Sequence, residues 1–69
     1  MTNEQFRATL HQTPFRPFTI RMADGRAFEV RHPDFVAISP SGRTAIVYES
    51  DERYGILDLL LMSELQVLN

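Results

Sequence analysis

The side chains able to do chemistry in this chain are few and of few kinds. All seven basic residues are arginines: Arg7, Arg16, Arg21, Arg26, Arg31, Arg43 and Arg53. They stand beside nine acidic residues and two histidines, with no lysine and no cysteine. The missing cysteine removes disulfides, thiolate metal sites and a cysteine nucleophile. The missing lysine removes Schiff-base chemistry and the lysine of a P-loop. Arginine suits bidentate contact with a carboxylate or phosphate. Two arginines follow turn signals, in Asp24-Gly25-Arg26 and in Pro40-Ser41-Gly42-Arg43. In a meander of strands both tips lie at one end, with Ser63 near them. Arg26 and Arg43, with the free turn amides, are then the candidate contacts for a phosphate or a partner's carboxylate. The plainer alternative is that each arginine is solvated at its tip or pairs with an acid such as Asp24.

The other end of such a meander collects His32, Asp34, Asp51, Glu52 and Arg53. Histidine beside carboxylates invites an acid–base or metal reading. A metal needs three or four ligands, and His11 lies on a separate element. His32-Pro33-Asp34 reads better as a turn in which Asp34 accepts backbone N–H bonds. No catalytic, cofactor-binding or metal-ligating residue is assigned, and an enzyme is not expected.

The third constellation is apolar. Leu57, Leu59, Leu60, Leu61, Met62, Leu65, Val67 and Leu68 place apolar side chains on both faces of strands. A chain of 69 residues buries only about 60% of its unfolded surface. The surplus points to a covering helix or a second subunit. Leu57, Asp58, Leu59, Leu61 and Leu65 are the candidate interface. A homo-oligomer, most simply a two-fold dimer, or a protein partner is expected. Asp58 within that surface needs a partner, for which an arginine is the natural choice.

Positioning these groups falls to short elements. Thr2 and Gln5 form a capping box, and Phe6 and Leu10 share a helical face, so a helix is expected over residues 3–12. Ten residues with two anchors cannot stand alone. Pro14-Phe15-Arg16-Pro17-Phe18 ends the helix and pins it to the core. From Phe18 the apolar period becomes two, and strands are expected at about 18–23, 26–31, 35–39, 44–49, 54–61 and 65–68. Around Asp24-Gly25 the hydrophobic phase selects a three-residue loop, Ala23-Asp24-Gly25, which sets Ile20 opposite Phe28 and Phe18 opposite Val30. The same loop type is expected at Pro40-Ser41-Gly42. There the buried face is open: Val36, Ile38, Ile46 and Tyr48 compete with Phe35, Ala37, Ala45 and Val47. A one-turn break is expected at Met62-Ser63-Glu64.

The element order, a mainly β chain with one N-terminal helix, resembles small SH3-like and Sm-like antiparallel barrels or a strongly curved meander sheet. Asp24-Gly25-Arg26 is similar to the first hairpin of several Sm-like proteins, but the Arg-Gly pair of their second motif is missing, since the region reads Ile56-Leu57-Asp58-Leu59-Leu60. Their nucleobase and ribose positions are therefore not carried over. Across nearly the whole chain, Phe6, Pro14-Phe15-Arg16-Pro17-Phe18, Asp24-Gly25-Arg26, His32-Pro33-Asp34-Phe35 and Pro40-Ser41-Gly42-Arg43 resemble a group of short bacterial proteins found in planctomycetes and some proteobacteria. That resemblance implies a stand-alone single-domain protein and no activity.

The longest apolar run, Leu59 to Met62, is far short of a membrane span, and the polar start is unlike a signal peptide. A cytoplasmic protein with no cofactor is expected. The formal charge of −2 argues against a dedicated duplex-DNA binder. The reading that results is a non-catalytic interaction module. The alternative is a single-stranded RNA or DNA binder using Arg26 and Arg43 on phosphates and Phe15 or Tyr54 for stacking.

Overall fold

The computed structural model describes residues 1–68. Helix α1 spans Asn3–Leu10, and its start is the capping box expected from Thr2 and Gln5. The Gln5 N–H donates to the Thr2 hydroxyl at 3.1 Å, and the Thr2 N–H donates to the Gln5 side chain at 3.2 Å. The helix stops two residues earlier than expected, with His11 as its C-cap. Leu10 is the last residue whose side chain reaches the core, so residues 11 and 12 gain nothing from continuing. Phe6 and Leu10 are buried as the four-residue spacing requires. Phe6 meets Phe18 edge to face, with centroids 6.1 Å apart, and Phe15 packs on the same Phe18 ring. The proline-flanked linker therefore does pin the helix.

Strands β1 (Phe18–Met22) and β2 (Ala27–Val30) form the first hairpin. Its register is the one the hydrophobic phase selects: Ile20 opposite Phe28 and Phe18 opposite Val30. The loop is Ala23-Asp24-Gly25, closed by the Gly25 N–H on the Met22 carbonyl at 3.0 Å. Gly25 has φ 93°, the left-handed conformation that a bulge glycine supplies.

Pro33–Phe35 forms a 3₁₀ turn ahead of β3 (Val36–Ile38), so the expected strand at 35–39 is shorter. The turn's cap reverses the expected roles. The His32 ring nitrogen Nδ1 accepts from the Asp34 N–H at 3.2 Å, rather than Asp34 accepting. Strands β4 (Thr44–Tyr48) and β5 (Tyr54–Asp58) complete a second meander. Its first connection has four residues, not three, because Ser39 pairs with Thr44: the Ser39 N–H donates to the Thr44 carbonyl at 2.8 Å. The Ser39 hydroxyl accepts the Thr44 N–H at 3.1 Å and so helps hold that closure. One extra loop residue inverts the parity of the pairing. Val36 and Ile38 consequently share the inner face with Ala45 and Val47, and neither of the two expected sets is the buried one.

The expected long strand 54–61 breaks at Asp58. Its carboxylate accepts the Leu60 N–H at 2.9 Å and caps a 3₁₀ turn over Leu59–Leu61. A side chain that captures a nearby backbone N–H competes with the strand ladder. The turn thus comes three residues before the position expected for it, and β6 runs from Met62 to Val67.

Two antiparallel three-stranded sheets result, ordered β2-β1-β6 and β3-β4-β5. The chain is mainly β with one short helix, and the two sheets do not close on each other. Their inner faces meet in a single core of Phe18, Ile20, Met22, Phe28, Val30, Ala45, Val47, Leu57, Leu59 and Met62, closed by Phe6 and Leu10 of the helix. No polar side chain is buried among the described residues. No helix among them is long and apolar enough to cross a membrane.

Candidate functional site

Period-two alternation decides what each sheet shows to solvent. On β1, Phe18, Ile20 and Met22 point inward, which turns Thr19 and Arg21 outward. Neighbouring strands add Glu29, Glu64 and Gln66 to that outer face. The face is knitted by polar contacts. Arg21 donates through Nη2 to the Gln66 side-chain oxygen Oε1 at 2.9 Å and lies 3.5 Å from Glu64 through Nε, while Arg31 holds Glu29 at 2.7 Å.

The second sheet is different. Its registers align three rows of outward side chains. Ala37, Ile46 and Ile56 form the middle row. Tyr48 and Tyr54 form the next, with ring centroids 5.6 Å apart, and continuing the register places Phe35 beside Tyr48. Thr44 and Asp58 form the third. Ile56 is 66% exposed and Tyr54 60%, and Leu60 on the following turn is also exposed. Leu57, one residue from Ile56, is 2% exposed.

The candidate interface residues therefore divide. Leu57 and Leu59 are consumed by the chain's own core and are not surface residues. Leu65 is half-buried against that core, opposite Ile20. Leu61 is exposed, beside Met22, Ala23, Asp24 and Arg26. Asp58 finds the arginine it needs within the chain: Arg43 Nε lies 3.7 Å from Oδ1.

The arginine tips do not share a partner. Arg26 donates through Nε to Asp24 Oδ2 at 2.8 Å, and its guanidinium carbon sits 5.6 Å from the Phe28 ring centroid. The Arg26 backbone N–H, aided by its guanidinium, holds the Asp24 carboxyl below the usual aspartate value of 3.8. Arg43 turns instead to Asp58. The second tip leans on the helix, since Gly42 sits directly against the Asn3 side chain. Ser63 does not join either tip as a contact group; its hydroxyl donates to the Arg21 carbonyl at 3.0 Å.

At the other end, His32 is 3.6 Å from Asp34 and belongs to the turn that both build. Its ring lies in an aromatic series between Phe15 and Phe35, at 6.4 and 5.7 Å. Beside Phe35 runs an open groove of about 360 Å³ lined by Phe35, Tyr48, Glu49, Ser50 and Asp51. A smaller hollow of about 150 Å³ adjoins it and reaches Glu29 and Arg31. Sequence reasoning missed this groove. Phe35 and Tyr48 are thirteen residues apart, and only the four-residue hairpin connection brings them onto one row. The available signal was that both strands of that hairpin are apolar on alternate residues of either phase.

No family model matches the chain, and no curated protein or solved structure matches it either.

Proposed function

We propose that the chain is a non-catalytic interaction module, on the plan of a small SH3-like barrel, that binds a second copy of itself through β5. The observation that carries this reading is Ile56, two-thirds exposed at the centre of an edge strand. Edge strands are ordinarily guarded by charge, proline or a bulge. One outer strand of the first sheet, β6, has both Glu64 and a register shift opposite Arg21 and Met22. Between Tyr54 and Leu57, β5 has no charge, no proline and an unbroken register with β4.

The five residues of β5 centre on Ile56. Antiparallel pairing about a two-fold axis at that residue sets Ile56 against its own copy and Tyr54 against Asp58 of the other chain. The middle rows then merge into one strip of four isoleucines, and the Tyr54 hydroxyl meets a carboxylate. Burying a fully exposed isoleucine contributes about 1.5–3 kcal/mol, and each chain supplies Ile56, two-thirds exposed, and Ile46, already partly buried.

Single-stranded nucleic acid has less support. Both arginines it needs, Arg26 and Arg43, already face a carboxylate.

Light scattering over a dilution series tests the proposal. The expected result is twice the 8.0 kDa chain mass at high concentration, falling toward the single-chain mass on dilution. A single-chain mass at every concentration refutes it.

A further inference from the structure

The groove beside Phe35 offers something the isoleucine strip does not. Its walls are aromatic: Phe35 and Tyr48 are both close to half exposed, and Tyr54 packs against Tyr48 from the far side. Arg31, which lines the adjoining hollow, is paired with Glu29, and Glu49 and Asp51 line the groove directly. Among the described residues, neither carboxylate makes an ion pair, and neither side chain accepts a hydrogen bond. Four other acids of the chain are engaged by arginines: Asp24 by Arg26, Glu29 by Arg31, Asp58 by Arg43 and Glu64 by Arg21. Arg53 lies across the loop, its carbonyl accepting the Glu49 and Ser50 N–H groups, yet its guanidinium pairs with neither acid. Aromatic walls beside two unpaired carboxylates are complementary to a flat cation. Guanidinium stacks on aromatic faces and presents a fork of donors to carboxylates.

We infer that this groove receives an arginine side chain of a partner peptide, with the guanidinium stacked between Phe35 and Tyr48 and its N–H groups donating to Glu49 and Asp51. The chain already makes the same kind of contact internally, where Arg26 lies over Phe28 while pairing with Asp24. The groove is lined by Phe35, the end of β4 and the start of the β4–β5 connection, whereas the edge proposed for self-association centres on Ile56 of β5, which does not line it. The inference does not rest on the dimer.

The experiment is an NMR titration of the ¹⁵N-labelled full chain at low salt with an acetylated, amidated Gly-Arg-Gly-Arg-Gly peptide. The control peptide carries citrulline in place of arginine and so keeps the shape but loses the charge. The expected result is amide shifts centred on Phe35, Tyr48 and Glu49 to Asp51, with the citrulline peptide about tenfold weaker or worse. The double variant Glu49→Gln, Asp51→Asn weakens the arginine peptide by about tenfold, and Ile56→Lys, on the other surface, leaves its binding unchanged. Equal binding of both peptides, shifts centred elsewhere, wild-type affinity in the double variant or no shift at all each overturns the inference. Self-association can fail its own test while all of these results stand.

Discussion

The two sheets have the same strand number and the same antiparallel grammar, and they treat solvent in opposite ways. The first sheet turns Thr19, Arg21, Glu29, Glu64 and Gln66 outward and joins most of them by hydrogen bonds and ion pairs. The second turns Ala37, Ile46, Ile56, Tyr48 and Tyr54 outward and leaves all but the partly buried Ile46 exposed. Both inner faces are equally apolar, so folding alone does not require the difference. A chain this small gains its stability from one core between the sheets and has no second layer to cover another apolar face. Only the second sheet, then, leaves an outer surface that is apolar and largely exposed. The two hairpin tips repeat the lesson. The first is held by its own Asp24 and Arg26, and the second by elements beyond it, Asn3 and Asp58.

The comparison is easiest to break within β5. Leu57→Ala removes a core side chain and is expected to cost about 2–5 kcal/mol. That is a large part of the stability of a domain this size. Ile56→Ala, one residue away on the other face, is expected to stay within about 0.5 kcal/mol. Urea midpoints at a protein concentration too low for association decide it, and comparable losses at the two positions would dissolve the two-faced description.

The tips give a smaller effect. Alanine at Gly25 or Gly42 strains a left-handed residue by about 1–2 kcal/mol. A side chain at Gly42 also meets Asn3 atoms at 2.5 Å, whereas at Gly25 nothing lies within 4 Å. Gly42→Ala should therefore lower the melting temperature more than Gly25→Ala does. Equal losses would mean that the second tip does not depend on the helix.

Smallest is the pH effect at the first tip. The folded Asp24 carboxyl lies below its ordinary 3.8, so its contribution is present above that value and is lost as pH falls through the folded value. Asp24→Asn should melt slightly below wild type at about pH 5 and together with it at about pH 2. A constant gap across that range would assign the effect to something other than the carboxylate.

The first hairpin was readable because two independent signals agreed. Asp-Gly named the turn, and strict alternation of Phe18, Ile20, Met22, Phe28 and Val30 fixed the register. The capping box of Thr2 and Gln5 was legible for a similar reason, since its two hydrogen bonds demand particular residue types at one spacing. The second hairpin offered only one signal. Its strands are apolar in both phases, and a single added loop residue, Arg43, paired Val36 and Ile38 of one expected set with Ala45 and Val47 of the other on the inner face. Asp58 marks the other limit. Inside a leucine-rich run it reads as a strand residue, but it ends the strand, caps the Leu59–Leu61 turn and faces Arg43. That turn draws Leu59 into the core, so the leucine surplus after Tyr54 is smaller than composition suggests. The exposed surface it leaves centres on Ile56, with the aromatic row beside it.

The most direct test pairs one substitution on each outer face. Ile56→Lys charges the middle row of the second sheet, and Thr19→Lys does the same at the centre of the first. Light scattering is then measured over the same dilution series as for the wild-type chain. The account predicts that Ile56→Lys stays at the single-chain mass throughout, while Thr19→Lys follows the wild type to twice that mass. Wild-type behaviour of Ile56→Lys, or equal loss in both variants, would contradict it.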